Sequence, residues 1–204
     1  MNTYKIEYIE GEVPGDLPWE KIQKADINTI PWPNYPLKMP AFARVAYNEK
    51  GLFVQLSAEE ERPLARFDSL LDRVCNDSCL EFFFCPSGDS RYFNFEFNPK
   101  GAMHLGFGTN RTHSIRQLIP SYRSFFFVSP FIKGSYWGIE FFIPISFLRI
   151  YYPSLNLEKS STFRGNFYKC GDETEIPHYI VWNPVVTPNP DFHRPEYFGN
   201  LVLN

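Results

Sequence analysis

A run of alternating side chains in the middle of the chain restricts its fold more than any other feature. Three phenylalanines occupy every second position there: Phe93, Phe95 and Phe97. The positions that follow each of them are polar: Asn94, Glu96 and Asn98. A period of two places the rings on one face of a strand and the polar groups on the other. The apolar run Leu80–Cys85 precedes it across a turn-rich segment at 86–90, so the sequence predicts a central β-hairpin.

Further short strands, separated by turn signals, surround this hairpin. They are predicted at Ala43–Tyr47, Leu52–Ala58, Ala102–Phe107, Ser114–Leu118, Phe125–Ile132, Tyr136–Ile143, Thr162–Tyr168, His178–Trp182 and Gly199–Leu203. One short helix is predicted from Pro144 to Arg149, and at most one or two helical turns at Pro18–Ala25 and Arg66–Arg73. This pattern indicates an all-β fold. We predict one antiparallel β-sandwich domain over residues 1–204, jelly-roll or immunoglobulin-like.

The first 40 residues are predicted to form an irregular strap packed on the sandwich. Val13–Trp19 is rich in turn residues, and Pro31, Pro33 and Pro36 exclude a helix around Trp32. A tryptophan between two prolines is held stiffly. Trp32 is therefore either a platform for a ligand or a clamp that fixes the strap to the sandwich.

Charge and cysteine content exclude some classes of function. The net charge of −3 argues against a nucleic-acid partner, and no apolar stretch approaches the ~18 residues of a membrane span. The polar, acidic N-terminus does not resemble a secretory signal, which favours the cytoplasm, or an extracellular location if the chain is part of a larger exported protein. The four cysteines are expected to be reduced and mostly buried.

Glu81 and Glu96 are the carboxylates that most resemble a site, because they lie on adjacent predicted strands. They form an acid–base pair, a polar binding face or a solvated face. A glycosidase needs two carboxyls ~5–9.5 Å apart, so one alternative is a glycoside hydrolase that uses Glu81 with Glu96 or His193. His193, beside Arg194 and Glu196, otherwise fits a salt-bridged corner.

Aromatic residues make up 18% of the chain, an unusual share that supports several interpretations. Rings stack on the flat C–H faces of sugars, and exposed rings also fit a homodimer interface. Trp182 lies in a predicted strand, where a core position is the default. A third alternative is a binder of haem or another ligand, with His104, His178 or Met103 as axial ligand.

Several segments together resemble family 9 carbohydrate-binding modules. They are Ala43–Tyr47 with Gly51–Val54, Asp77–Phe84, Tyr92–Ala102, Trp137–Pro144, Trp182–Pro184 and Asp191–Leu203. The resemblance implies a DOMON-type β-sandwich that binds a mono- or oligosaccharide without catalysis, in carbohydrate catabolism. Modules of this family accompany xylanases and hold sugar ends between two tryptophans, with structural calcium nearby.

Some of the positions that contact the ligand in this family have a matching residue in this sequence, and others have a different one. Glu81 matches a polar ligand contact of the family, Phe192 takes the place of one stacking tryptophan, and Asn189 lies near the matching asparagine. The second tryptophan would fall near Val74 and Cys75, where no ring stands, and Glu96 replaces an arginine. The residues predicted to contact a sugar are Glu81, Asn94, Glu96, Trp182, Asn189, Phe192, His193, Arg194 and Trp32.

Overall fold

The structure, a computed structural model, describes residues 1–10 and 17–204. Positions 13–16 of the predicted turn-rich segment lie outside this range. The described strands are β1 (Thr3–Tyr8), β2 (Ala25–Asp26), β3 (Ala41–Asn48), β4 (Gly51–Glu59), β5 (Cys79–Cys85), β6 (Tyr92–Phe97), β7 (Met103–Gly108), β8 (Ser114–Arg116), β9 (Ser129–Lys133), β10 (Tyr136–Pro144), β11 (Thr162–Gly171), β12 (His178–Val181) and β13 (Gly199–Leu203). The helices are α1 (Tyr122–Phe125) and α2 (Ile145–Tyr151), and 3₁₀ turns lie at Trp19–Lys21, Val74–Asn76 and Pro195–Tyr197.

The strands form one continuous sheet that curls into two layers. The path runs β8-β7-β6-β5-β11-β13-β1-β3-β4-β10-β9, with β12 beside β11 and β2 beside β3. The front layer comprises β5–β8 and β11–β13, and the back layer comprises β2–β4, β9 and β10. Strand β1 joins them, because its first half pairs with β13 and its second half with β3. The predicted all-β sandwich is confirmed, although both pairings of β1 are parallel rather than antiparallel.

Aromatic side chains fill the space between the layers. Phe95 and Phe97 of the front layer meet Phe141 of the back layer, with ring centroids 5.7 and 4.7 Å apart. The alternation predicted for β6 is confirmed, because its phenylalanines all point into this core. Tilted contacts at these distances add stability beyond the buried area. The polar face of β6 is consequently directed to the outer side of the front layer.

The strap prediction is wrong at the N-terminus. Thr3–Tyr8 forms β1, and its side chains alternate between exposed and buried, with Tyr4 and Ile6 in the core. This short alternation with a period of two is typical of a strand, and the prediction of an irregular strap did not take it into account. The segment between β2 and β3 is irregular, as predicted, apart from one bridge between Thr29 and Val181.

Residues 66–73, predicted to be partly helical, contain no helix. The carboxylate of the buried Asp77 accepts the backbone amides of Arg66 and Phe67 at 2.8 and 3.0 Å, and it also binds the Arg66 guanidinium. Amides held by a side chain are not free to begin a helical hydrogen-bond ladder.

The predicted strand at Phe125–Ile132 is only partly correct. Its first residue ends helix α1, and the strand itself, β9, begins at Ser129. A short continuous apolar run does not distinguish a strand from a helix by its period. The helix predicted after Pro144 is confirmed as α2. None of the helices in the described part of the chain is long and apolar enough to cross a membrane.

Candidate functional site

The outer face of the front layer is covered by the loop at residues 183–198. Phe192 of this loop stacks on Tyr168 of β11, with ring centroids 4.1 Å apart and planes at 9°. The Tyr168 hydroxyl also donates to the Phe192 carbonyl at 3.1 Å. Trp32 packs beside Phe192 and donates its indole N–H to the Thr187 carbonyl at 2.9 Å. The loop is therefore fixed at Phe192, next to the polar face of β5, β6 and β11.

A pocket of about 140 Å³ lies between this loop and the sheet. Its lining residues come from three strands and from the connections around them: Cys75, Glu81, Glu96, Arg111, Cys170, Asp172, Tyr179, Pro190, Asp191, Phe192 and His193. At ~30 Å³ for each water the space holds about five water molecules. A pocket of this volume suits one small polar molecule or one sugar ring.

Two glutamates form the floor of the pocket. Glu81 of β5 and Glu96 of β6 are directly opposite each other in the antiparallel register. They are only 3% and 7% exposed, so the interpretation as a solvated face is wrong, because the loop covers them. The Cys170 thiol donates to Glu81 Oε1 at 3.1 Å, and the Asn94 amide donates to Glu96 Oε1 at 2.7 Å. Asn94 thus acts below the pocket, through Glu96.

The surroundings of three pocket carboxyls, Glu81, Glu96 and Asp172, oppose their ionisation and raise their pKa values. Burial raises the pKa of Glu81 well above its usual range, and the facing Glu96 raises it further. Burial also raises the pKa of Glu96 and of Asp172. Burial, helped by Arg111, lowers the pKa of His193 to about 4, so this imidazole is neutral at pH 7. Perturbed carboxyls gathered in one pocket are typical of a functional site.

The loop side of the pocket is held by hydrogen bonds and ion pairs. His193 Nδ1 lies 2.8 Å from the Tyr92 hydroxyl, and its ring packs on Phe83. Asp191 binds Arg194 at 2.8 Å and lies 3.7 Å from Arg111. His193 therefore lines the pocket, whereas Arg194 supports it from outside through Asp191.

The other predicted contact residues lie away from the pocket. Trp32 is 3% exposed and clamps the strap to the loop. Trp182, 6% exposed, packs against Phe167 in the core. Asn189 is exposed, and its backbone carbonyl accepts a bond from Thr187 Oγ1. The prediction that these three residues contact a sugar gains no support from their positions.

Sequence reasoning missed several lining residues, notably Arg111, Cys170, Asp172 and Tyr179. Cys170 becomes part of the site because β11 pairs with β5, where Cys170 faces Cys79. That pairing joins residues far apart in sequence, so no local sequence pattern predicts it. The sequence offers one indication that Arg111 belongs to the site, namely its position in the hairpin loop between β7 and β8.

Gly106 of β7 makes room for Asn94, its direct register partner on the neighbouring strand β6. A Cβ at Gly106 would lie 2.5 Å from both Asn94 Oδ1 and Ser114 Oγ. Gly106→Ala is expected to displace the Asn94 amide from Glu96 and to lower ligand affinity several-fold, with a stability loss of about 1–2 kcal/mol. Gly88→Ala is the matched control, since a Cβ there meets nothing within 4 Å. Equal ligand affinity in both variants, measured by calorimetry, would show that the hydrogen bond from Asn94 to Glu96 does not contribute to binding.

One group among the described residues has donor spacing suitable for a metal ion. Ligand atoms of Cys79, Glu81 and Cys170 lie within 4.8 Å of one another. Two of the three are sulfur, which calcium does not take, so this group does not fit the calcium implied by the resemblance. Within this group the Cys170 thiol donates a hydrogen bond to Glu81 Oε1.

The haem alternative is not supported by the histidine positions. His178 Nε2 lies 2.7 Å from the buried Lys169 ammonium, and its Nδ1 lies 2.9 Å from the Ile176 carbonyl oxygen. Met103 is enclosed in the core, and His104 stands opposite Glu96 on β7. These three side chains do not share a cavity in the described part of the protein.

A larger groove of about 720 Å³ lies on the outer face of the back layer. Its central polar groups bind one another: Arg44 donates to Gln55 at 2.9 Å, and Gln55 donates to Glu140 at 2.9 Å. The floor of the front pocket differs, because two carboxyl side chains face each other there. The front pocket is therefore the stronger candidate site.

A β-sandwich with a small polar pocket on the outer face of one layer, lined in part by an aromatic side chain, is typical of a module that binds a small ligand. The model of carbohydrate-binding family 9 matches residues 11–203, and the chain belongs to this family. Its function is accordingly carbohydrate binding of the non-catalytic kind.

Three known structures share the fold. A proposed carbohydrate-binding protein from Bacteroides uniformis is 25% identical, with a TM-score of 0.85 over 99% of both chains. A family 9 module from Caldicellulosiruptor kristjanssonii, in complex with glucose, is 12% identical, with a TM-score of 0.66 over 100% of this chain and 96% of that one. Its complex with cellotriose gives 11% identity and a TM-score of 0.67, over 100% and 94%. No curated protein matches the chain.

Proposed function

We propose that the front pocket binds one sugar unit, either a monosaccharide or the end of an oligosaccharide. The observation that carries this proposal is the floor of the pocket, where Glu81 and Glu96 are buried face to face and a fixed aromatic side chain, Phe192, also lines the pocket. Carboxylates accept hydrogen bonds from sugar hydroxyls, and an aromatic ring packs on the C–H faces between them. The similar modules in complex with glucose and cellotriose support a ligand of this class.

The volume of the pocket limits the ligand. About 140 Å³ is below the ~300 Å³ at which pockets for drug-sized molecules begin, so a second sugar unit must remain outside. Affinity should therefore change less than about tenfold between a monosaccharide and its oligomers.

A thermal-shift and calorimetric screen against mono- and oligosaccharides tests this proposal, because a ligand of the native state raises the unfolding midpoint. Phe192→Leu keeps an apolar side chain but removes the ring, and should weaken binding about 2–10-fold. Glu158→Gln, an exposed site outside the pocket, serves as the control. Absence of any shift at millimolar sugar, or equal affinity in Phe192→Leu and Glu158→Gln, would refute a sugar site under this loop. The same mixtures, checked for cleavage products, test the glycosidase alternative.

A further inference from the structure

The front pocket contains more negative than positive groups. Four carboxyl side chains line it: Glu81, Glu96, Asp172 and Asp191. Among the described residues that line it, the one guanidinium is that of Arg111, which lies 3.7 Å from Asp191; Arg194 binds the same Asp191 from outside. The negative charge of Asp191 is therefore compensated by these two guanidinium groups. The other three carboxyls have no cationic partner within 4.0 Å among the described residues.

The hydrogen bonds to the two floor carboxyls come from neutral groups. Glu81 accepts a hydrogen bond from the Cys170 thiol, and Glu96 accepts one from the Asn94 side-chain amide. Like charges directly opposite each other on neighbouring strands are unfavourable, and burial increases the cost. Without a cation, burial and this repulsion oppose ionisation of the two facing carboxyls. A neutral hydroxyl leaves that cost in place, whereas a positive charge between the two carboxyls offsets it.

We propose, on the basis of the proposed function, that the pocket selects an amino sugar, whose primary ammonium group lies between Glu81 and Glu96. An ammonium offers three donors and one positive charge, and therefore satisfies both carboxyls at once. The hydroxyls of the same sugar ring then reach Asp172 and His193 at the sides of the pocket.

Other features of the pocket agree with a cationic ligand. His193 adds no positive charge at neutral pH, because its pKa is lowered to about 4. A divalent metal ion is a weaker alternative. Calcium needs six to eight oxygen ligands, and the described residues contain no cluster in which three carboxyls lie within 4.8 Å of one another.

Three sugars with the same ring separate these possibilities: glucosamine, N-acetylglucosamine and glucose. Calorimetry is carried out at about pH 6.5, where an amine of this kind is largely protonated. We expect glucosamine to bind at least about tenfold more tightly than the other two, as for a hydrogen bond between charged groups. Glu96→Gln should abolish this preference, and Glu158→Gln should retain it. Unfolding midpoints of both variants verify that they are folded.

The outcomes distinguish this inference from the proposed function. Equal binding of all three sugars, or tighter binding of N-acetylglucosamine, overturns the selection of an amino sugar and leaves the sugar site intact. If ethanolamine binds as well as glucosamine, the pocket is a general amine site, and the inference is again wrong. If none of the three sugars binds, the proposed function and the inference fail together.

Discussion

Replacement of Glu81 by glutamine is expected to abolish sugar binding and at the same time to raise the stability of the protein at neutral pH. The side chain is 3% exposed and faces Glu96, and among the described residues its one hydrogen-bond donor is the neutral thiol of Cys170. Glutamine keeps the shape and the acceptor for this thiol but removes a charge that is costly to bury. We expect a gain of about 1–2 kcal/mol, or ~2–8 °C in the unfolding midpoint.

The gain should depend on pH in a defined direction. The pKa of Glu81 is raised in the folded protein, so the wild type loses stability as pH rises from the ordinary value of ~4.3 towards the folded value. Below about pH 4 the carboxyl is protonated in both states, and Glu81→Gln should then match the wild type. Calorimetric midpoints at about pH 4 and pH 7 measure this difference. A variant less stable than the wild type at pH 7 would show that Glu81 is a structural group.

Replacement of Glu60 by glutamine is expected to have the opposite effect on stability. Glu60 lies 3.2 Å from the ammonium of Lys169, which is fully buried, and it accepts bonds from Trp137 Nε1 at 3.0 Å and Ser78 Oγ at 2.7 Å. Burial alone would raise its pKa, but these partners, Lys169 first among them, hold it below the ordinary value. Loss of the carboxylate leaves the ammonium uncompensated, which should cost about 3 kcal/mol, or ~6–12 °C.

The pH dependence of this pair is also opposite to that of Glu81. Because the folded pKa of Glu60 is lowered, its contribution is complete above about pH 4.3 and is lost as pH falls through the folded value. The double variant Glu60→Gln/Lys169→Met removes both charges and should recover part of the loss. If the double variant is less stable than the sum of the single effects, the two groups do not stabilise each other. Sugar binding should survive in Glu60→Gln, because Glu60 does not line the pocket.

The two glutamates show what local sequence can and cannot predict. The alternation in β6 predicted an aromatic face and a polar face, and the structure confirms both. It could not predict that the polar face would be covered. That depends on the loop at 183–198, which returns to the front layer and is fixed where Phe192 stacks on Tyr168.

Pairings between distant strands explain the remaining differences. Lys169 and Cys170 are neighbours in sequence, but they project to opposite faces of β11, so one supports the core and the other the pocket. Only the pairing of β11 with β5 places Cys170 next to Glu81. Similarly, β1 takes its position from parallel pairing with β13 at the other end of the chain.

Amide chemical shifts, followed during titration with glucosamine and with glucose, are the most direct test of whether a sugar binds in the pocket over Glu81 and Glu96. If a sugar binds there, the perturbed amides cluster at Glu81, Glu96, Cys170 and residues 190–193, and Glu81→Gln removes the perturbation. Shifts confined to the groove on the back layer, around Arg44 and Gln55, would contradict it. So would sugar binding that Glu81→Gln leaves unchanged.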